Sequence, residues 1–123
     1  MPSDQDVTGF ISSSFRSVWA IELLLHLKRN PGRSWPKADL VETLRASELV
    51  VASGLHSLLA AGLVVEDADG SSRYAPASPD IERLADATEA IYAKKPDAVR
   101  RMIVSSATDG VTAFADAFRL RRD

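Results

Sequence analysis

The chain begins with a long stretch in which apolar residues fall on most faces of a helix rather than along one stripe. This stretch runs from Thr8 to Arg29, and a helix that is apolar on most faces is typical of the centre of a core. The Asn30–Gly32 segment ends it, because proline cannot continue a helix and glycine tolerates a left-handed turn. The pattern therefore predicts one central helix over residues 8–29.

Two further helices follow, each with recognisable end signals. Pro36 suits the first position of a second helix, which we expect to end near Arg45. Ser47 is a natural N-cap for a third helix over Glu48–Ala61, and Gly62 ends that helix at the C′ position. Helical spacing directs three apolar residues of the third helix towards the core: Val51, Leu55 and Leu58.

A short segment of different character follows the third helix. Leu63–Val65 is typical of a strand, and Ser72–Ala75 is its expected return strand. The intervening Asp67–Gly70 segment has the Asp and Gly residues that hairpin turns favour. We therefore predict a small β-hairpin.

Apolar residues again have helical spacing after the hairpin and a proline-containing linker. We expect a helix over about Asp80–Lys95, another that begins at Pro96, and a last one capped by Asp109. The predicted fold class is mainly α with a small β-hairpin. Residues 1–76 form its main unit, and residues 77–123 form a C-terminal helical extension, either within the same compact domain or as a dimerisation element.

The exit of the third helix has a recognisable pattern of apolar residues and one glycine: Val51, Leu55, Leu58, Gly62, Leu63 and Val64. It resembles the corresponding part of winged helix-turn-helix transcriptional regulators of the MarR, ArsR and PadR kind, over about Trp19–Tyr74. The resemblance implies a third helix that enters the major groove of duplex DNA and a hairpin, the wing, that contacts phosphate or the minor groove. It also implies a homodimer, because two such motifs together reach two half-sites.

The net charge of the chain does not favour a polyanion partner, but one segment of the chain is basic. Fifteen Lys and Arg against seventeen Asp and Glu give a formal charge of −2. Between Ser34 and Pro76, three basic and six acidic residues leave −3, so few counterions would be released on a phosphate backbone. The segment from Leu23 to Ala38, in contrast, has no acid and four basic residues: Lys28, Arg29, Arg33 and Lys37.

This basic segment has two interpretations. Arg33 and Lys37 flank the start of the second helix, where a helix N-terminus and two cations can hold a phosphate. Alternatively, the segment is a solvated helix end whose cations suit the helix dipole. With the third helix and the hairpin included, the candidate DNA-binding residues are Arg33, Lys37, Ser47, Ser53, His56, Ser57 and Arg73.

The third helix lacks the side chains that usually recognise bases. We expect Ser53, His56 and Ser57 to face the groove, and they can donate to base edges, but Arg, Lys, Asn and Gln are absent. Leu49 and Val50 lie beside them. These two residues either pack against neighbouring helices or form an apolar contact for a protein partner.

The C-terminal stripe is the second candidate contact surface. Val111, Phe114 and Phe118 have helical spacing, and three arginines follow them. The stripe packs on the core of its own chain, forms a homodimer contact, or brings a basic end near DNA or a membrane.

The sequence contains few residues that would support catalysis, metal binding or membrane insertion. The absence of cysteine excludes disulfides and thiolate sites. His26 and His56 have no ligand-spaced neighbours, and His26 is best read as a core or edge residue, so we expect no enzyme, metal site or cofactor. The acidic start shows no secretory signal, and Leu49–Val65, the longest uncharged run, contains too many Gly, Ser and His residues for a membrane span. We expect a cytoplasmic protein without membrane contact.

Two functional hypotheses remain at this point. The first is a winged-helix transcriptional regulator that binds duplex DNA as a homodimer. The second is a winged-helix module that binds another regulatory protein through the uncharged third helix and does not bind DNA.

Overall fold

A computed structural model describes residues 2–105 of the chain. The helices are α1 (Asp4–Ser14), α2 (Val18–Arg29), α3 (Lys37–Leu44), α4 (Glu48–Ala60) and α5 (Pro79–Lys94). Residues 96–105 are also helical, and we call them α6. Strands β1 (Val64–Glu66) and β2 (Ser72–Tyr74) pair as an antiparallel hairpin. The predicted fold class, mainly helical with a small hairpin, is confirmed.

The single helix predicted over residues 8–29 is wrong, because the chain breaks between α1 and α2. Phe15 has extended backbone angles, with φ −111° and ψ 113°, and its side chain is 1% exposed. Its ring packs edge-on against Phe10, with ring centroids 5.9 Å apart. Ser17 then caps α2 by accepting a hydrogen bond from the backbone N–H of Ala20. The break therefore allows Phe15 to enter the core between two separately capped helices.

Close contact between α2 and α4 forms the middle of the core. A Cβ atom at Gly54 of α4 would lie 3.1 Å from Leu23 Cδ2 and 3.7 Å from Ala20 Cα. The glycine therefore lets the two helix backbones approach each other. The three residues of α4 predicted to face the core are all buried: Val51, Leu55 and Leu58.

The hairpin leaves α4 through Gly62, as predicted. This glycine has φ +75°, a left-handed conformation that residues with a side chain rarely adopt, and Leu63 after it is fully buried. In the hairpin register, Val64 lies opposite Tyr74. Trp35, ahead of α3, also exchanges two backbone hydrogen bonds with Ser72 and so adds a third extended segment to the sheet.

The C-terminal helix α5 packs against α1, which in turn contacts α4. Polar side chains also attach α5 to α2. Lys28 of α2 pairs with Asp86 and Glu89 of α5, and Tyr92 of α5 donates a hydrogen bond to Glu22. Two residues of α6 complete the buried core: Val99 and Ile103.

The α2–α4 contact predicts opposite effects for two glycine substitutions. Gly54→Val should lower the free energy of unfolding by about 1–3 kcal/mol, because the added methyl groups meet Leu23 in a filled space. Gly9→Ala should raise it by about 0.5–1 kcal/mol, because no atom lies within 4 Å of the new Cβ in α1. Urea denaturation of both variants checks this. A Gly54→Val protein as stable as the parent would contradict the close packing.

Candidate nucleic-acid interface

The candidate interface is the face on which the start of α3, the outer side of α4 and the hairpin meet. They enclose a groove of about 210 Å³, lined by Lys37, Ala52, Leu55, His56, Leu59, Glu66, Gly70 and Ser72. Helix α4 is capped at its start by Ser47, whose hydroxyl accepts from the backbone N–H of Val50 at 3.1 Å. Ser47 is exposed, but its side chain already has this capping role.

The outer side of α4 is an uncharged strip. Its members have helical spacing, and we call them the α4 outer strip: Leu49, Ala52, Ser53, His56, Leu59 and Ala60. The side chain of Leu49 is 79% exposed and that of Leu59 is 36% exposed. Leu49 therefore does not pack within the described part of its own chain, whereas Val50 is half-buried. Ser53 and His56, two of the residues predicted to face the groove, are exposed.

Ser57 does not belong to this face, contrary to the sequence prediction. It is 8% exposed and lines a second depression with Ser13 and Ser14 at the end of α1, which His56 and Ala60 of the strip also border. The prediction placed residues 8–14 in the same helix as residues 18–29, so it had no separate α1 to cover this side of α4. Ser57 is not available to a base edge in this arrangement.

Arg33 is held in place by an aromatic stack. Its guanidinium carbon lies 3.7 Å from the ring centroid of Trp35, and the centroid of the His26 ring lies 4.4 Å from that of Trp35. Trp35 is buried and Arg33 is exposed. Stacking on an indole attracts the cation, and it leaves the edge of the guanidinium free to bind an anion. The sequence analysis did not identify Trp35, because a single residue that pairs with a strand produces no periodic pattern in the sequence.

Lys37 is the second available cation of this face. It opens α3, is exposed and lines the groove. In the part of the chain that the structure describes, neither Lys37 nor Arg33 is in an ion pair. The two predicted phosphate contacts therefore lie at the same end of α3, Lys37 in the groove and Arg33 over Trp35.

The other predicted cations are engaged elsewhere. Lys28 Nζ lies 2.8 Å from an Asp86 oxygen and 2.7 Å from a Glu89 oxygen, and Arg29 also pairs with Glu89. Burial lowers the pKa of Lys28, but hydrogen bonds and charge from the two carboxylates outweigh it and raise the pKa overall. Lys28 and Arg29 therefore join α2 to α5, so two of the four basic residues in this segment stabilise the fold.

The hairpin arginine is also paired. Arg73 Nε lies 3.2 Å from an oxygen of Asp67, and the other oxygen of Asp67 accepts from Ser34. The hydrogen bond from Ser34, assisted by Arg73, lowers the pKa of Asp67 against the opposing effect of desolvation. Glu66 and Asp69 are exposed on the same hairpin. The hairpin therefore presents a net negative surface.

The surroundings of His26 favour its neutral form. Burial and then the charges of Arg33 and Arg29 lower its pKa below 6.5. Its Nε2 atom is buried without a hydrogen-bond partner, as is the Nε1 atom of Trp35. The sequence prediction of a core or edge histidine agrees with this position.

Two features are absent from the part of the chain that the structure describes. Within residues 2–105, no group of three or more His, Asp or Glu side chains is arranged to hold a metal ion. No helix in that range is long and apolar enough to cross a membrane. The predicted contact residues Val111, Phe114 and Phe118 lie outside the described residues.

Comparison with known proteins adds no family. No family model, curated protein or solved structure matches this chain.

The position of His26 predicts a pH-dependent stability. Because its pKa is lower in the folded protein than in the unfolded chain, the unfolded chain binds more protons between the two values. The free energy of unfolding should therefore fall as the pH decreases from about 6.5 through the folded pKa. In urea titrations at pH values across this range, His26→Phe should lose part of this fall.

His56→Ala is the matched control, because it removes the other histidine, an exposed one. It should retain the pH dependence of the parent protein. A His26→Phe variant with the same pH dependence as the parent would contradict the assignment to His26.

Proposed function

We propose that the chain is a winged-helix transcriptional regulator that binds duplex DNA as a homodimer. The order α2, α3, α4 and hairpin, with Trp35 bridged to the hairpin, is compatible with a winged helix. The observation that carries the proposal is the pair of exposed cations, Arg33 and Lys37, beside the start of α3 and the α4 outer strip.

The geometry supports a division of roles. Arg33, held over Trp35, and Lys37 bind backbone phosphates and orient the domain, since phosphate contacts position a protein without reading sequence. Helix α4 enters the major groove, where Ser53 and His56 donate to base edges. Arg73 contributes a phosphate contact only if it exchanges Asp67 for the phosphate.

A second candidate function, the binding of a protein through α4, is favoured by one specific observation. The α4 outer strip has no Asp, Glu, Lys or Arg and no amide side chain, and Leu49, one of its two leucines, is 79% exposed. An exposed leucine in a contiguous uncharged strip is typical of a protein contact rather than of base recognition.

The salt dependence of DNA binding tests the first function. A titration with random duplex DNA between about 50 and 200 mM salt should show an affinity that falls with salt, because bound cations release counterions. Arg33→Ala and Lys37→Ala should each make the slope shallower by about one unit.

Arg83→Ala is the control, because Arg83 lies on α5 and pairs with Asp80. It should leave the slope unchanged. The proposal fails if the protein does not bind duplex DNA at the lower salt concentration, or if neither Arg33→Ala nor Lys37→Ala alters the slope.

A further inference from the structure

We propose that the depression between the end of α1 and the end of α4 binds a phosphate group. We call it the α1–α4 depression, and three of its lining residues carry the inference: Ser14, Arg16 and Ser57. The binding of a phosphate group here is independent of the proposed function. Only the assignment of that phosphate to the DNA backbone rests on the proposed function.

Two serine hydroxyls of this depression are nearly buried and have no partner among the described residues. Ser14 is 9% exposed and Ser57 is 8% exposed, and both line the depression. Within residues 2–105, neither hydroxyl takes part in a hydrogen bond. A helical serine can return its hydroxyl to the carbonyl oxygen four residues earlier, as Ser13 does towards Gly9. The hydroxyls of Ser14 and Ser57 instead remain available as donors to a ligand in the depression.

The charge of the depression suits an anion. Arg16 lines it, is exposed and is in no ion pair in the part of the chain that the structure describes. None of the described residues that line the depression is acidic. The backbone carbonyl groups of residues 57–59, at the end of α4, already accept hydrogen bonds from residues 61–63. The positive charge of Arg16 is therefore left without a compensating group in the depression.

The start of α2 adds to this preference. Helix α2 begins two residues after Arg16. A Cβ atom at Gly54 would lie 4.0 Å from the backbone nitrogen of Ala20, and Gly54 is about one turn from Ser57 along α4. The first turn of α2 therefore lies beside the depression, and the positive end of its dipole favours an anion there.

The arrangement of donors suits a phosphate better than a carboxylate. The donors come from three elements: Ser14 from α1, Arg16 from the connection to α2, and Ser57 from α4. A guanidinium can bind two oxygens of one phosphate, which leaves further oxygens for the hydroxyls. The depression has a volume of about 250 Å³, below the range of about 300–1,000 Å³ for sites that enclose a drug-sized ligand. It therefore accommodates a phosphate group rather than a whole cofactor.

The position of the depression beside α4 favours the backbone of duplex DNA as the source of the phosphate. At about 100° per residue, Leu59 lies about 60° to one side of His56, in the groove that Lys37 also lines. Ser57 lies about 100° to the other side of His56, in the depression. The α4 outer strip therefore lies between two sites, each with a cation.

This spacing matches the geometry of a helix in DNA. The major groove is about 12 Å wide, close to the diameter of a helix with its side chains, so phosphates of both strands lie beside a helix that enters it. With the α4 outer strip towards the bases, Lys37 faces one strand and Arg16 faces the other.

Titration with inorganic phosphate tests the site without DNA. In amide NMR spectra recorded at fixed pH and fixed ionic strength, the signals of Ser14, Arg16 and Ser57 should shift and reach saturation. Arg16→Ala should weaken the affinity for phosphate by about 10-fold or more, because charge-assisted hydrogen bonds are lost. Ser57→Ala should weaken it by about 2–10-fold, because one neutral donor is lost.

Arg101→Ala is the matched control, because Arg101 is also exposed and in no ion pair among the described residues but lies on α6. It should leave the affinity for phosphate unchanged. The Arg16→Ala and Ser57→Ala proteins should be as stable to urea as the parent, since neither change removes a contact within residues 2–105. The inference is overturned if phosphate causes no saturable shift of these signals, or if neither variant changes the affinity.

The salt dependence of binding to duplex DNA distinguishes the two sources of the phosphate. For a backbone phosphate, Arg16→Ala should make the slope shallower by about one unit, and Arg101→Ala should not change it. A slope that Arg16→Ala leaves unchanged, together with saturable binding of inorganic phosphate, assigns the site to a free phosphorylated compound instead. If the parent protein does not bind duplex DNA, the proposed function fails, and the phosphate titration still decides the inference.

Discussion

Six of the twelve residues of α2 are buried apolar side chains, and they occupy somewhat more than half of the circumference of the helix. Such a helix is stable in water only when neighbours cover it on several sides. Helix α4 packs against α2 through the close approach at Gly54, two carboxylates of α5 pair with Lys28, and Trp35 packs against His26. The positions of the hairpin, the groove and the α4 outer strip all follow from this arrangement.

The same arrangement decides which charges remain available. Lys28 is 15% exposed, and two carboxylates of α5 compensate its charge, which would otherwise be costly to desolvate. Asp67 similarly holds Arg73 on the hairpin. A basic residue in the sequence is therefore available to a partner only if the packing of α2 and the hairpin leaves it unpaired, as it does for Arg33 and Lys37. Fewer positive charges are consequently available to an anionic partner than the number of basic residues in the sequence suggests.

Much of the fold was predictable because its signals are local. Ser47 and Gly62 mark the ends of α4 by capping and by backbone conformation, and the turn residues of the hairpin act in the same way. The break at Phe15 was not predictable from spacing, because an apolar residue fits either a continuous helix or a buried connection. The burial of Ser57 depends on α1, and the bridge of Trp35 depends on Ser72, so both are consequences of tertiary packing. For the candidate site, helical spacing indicated the exposed positions of α4. It did not indicate that a separate helix, α1, covers the neighbouring side of α4 on which Ser57 lies.

Two of the contacts between α2 and α5 join residues far apart in sequence, 61 positions for Lys28 with Glu89 and 70 for Glu22 with Tyr92. During synthesis the ribosome releases the chain from its N-terminus, so α2 and α4 emerge well before α5 and α6. For that interval Lys28 and Glu22 lack their partners on α5. A nascent chain paused after the hairpin thus leaves part of its apolar core open to water until Val99 and Ile103 emerge to complete it.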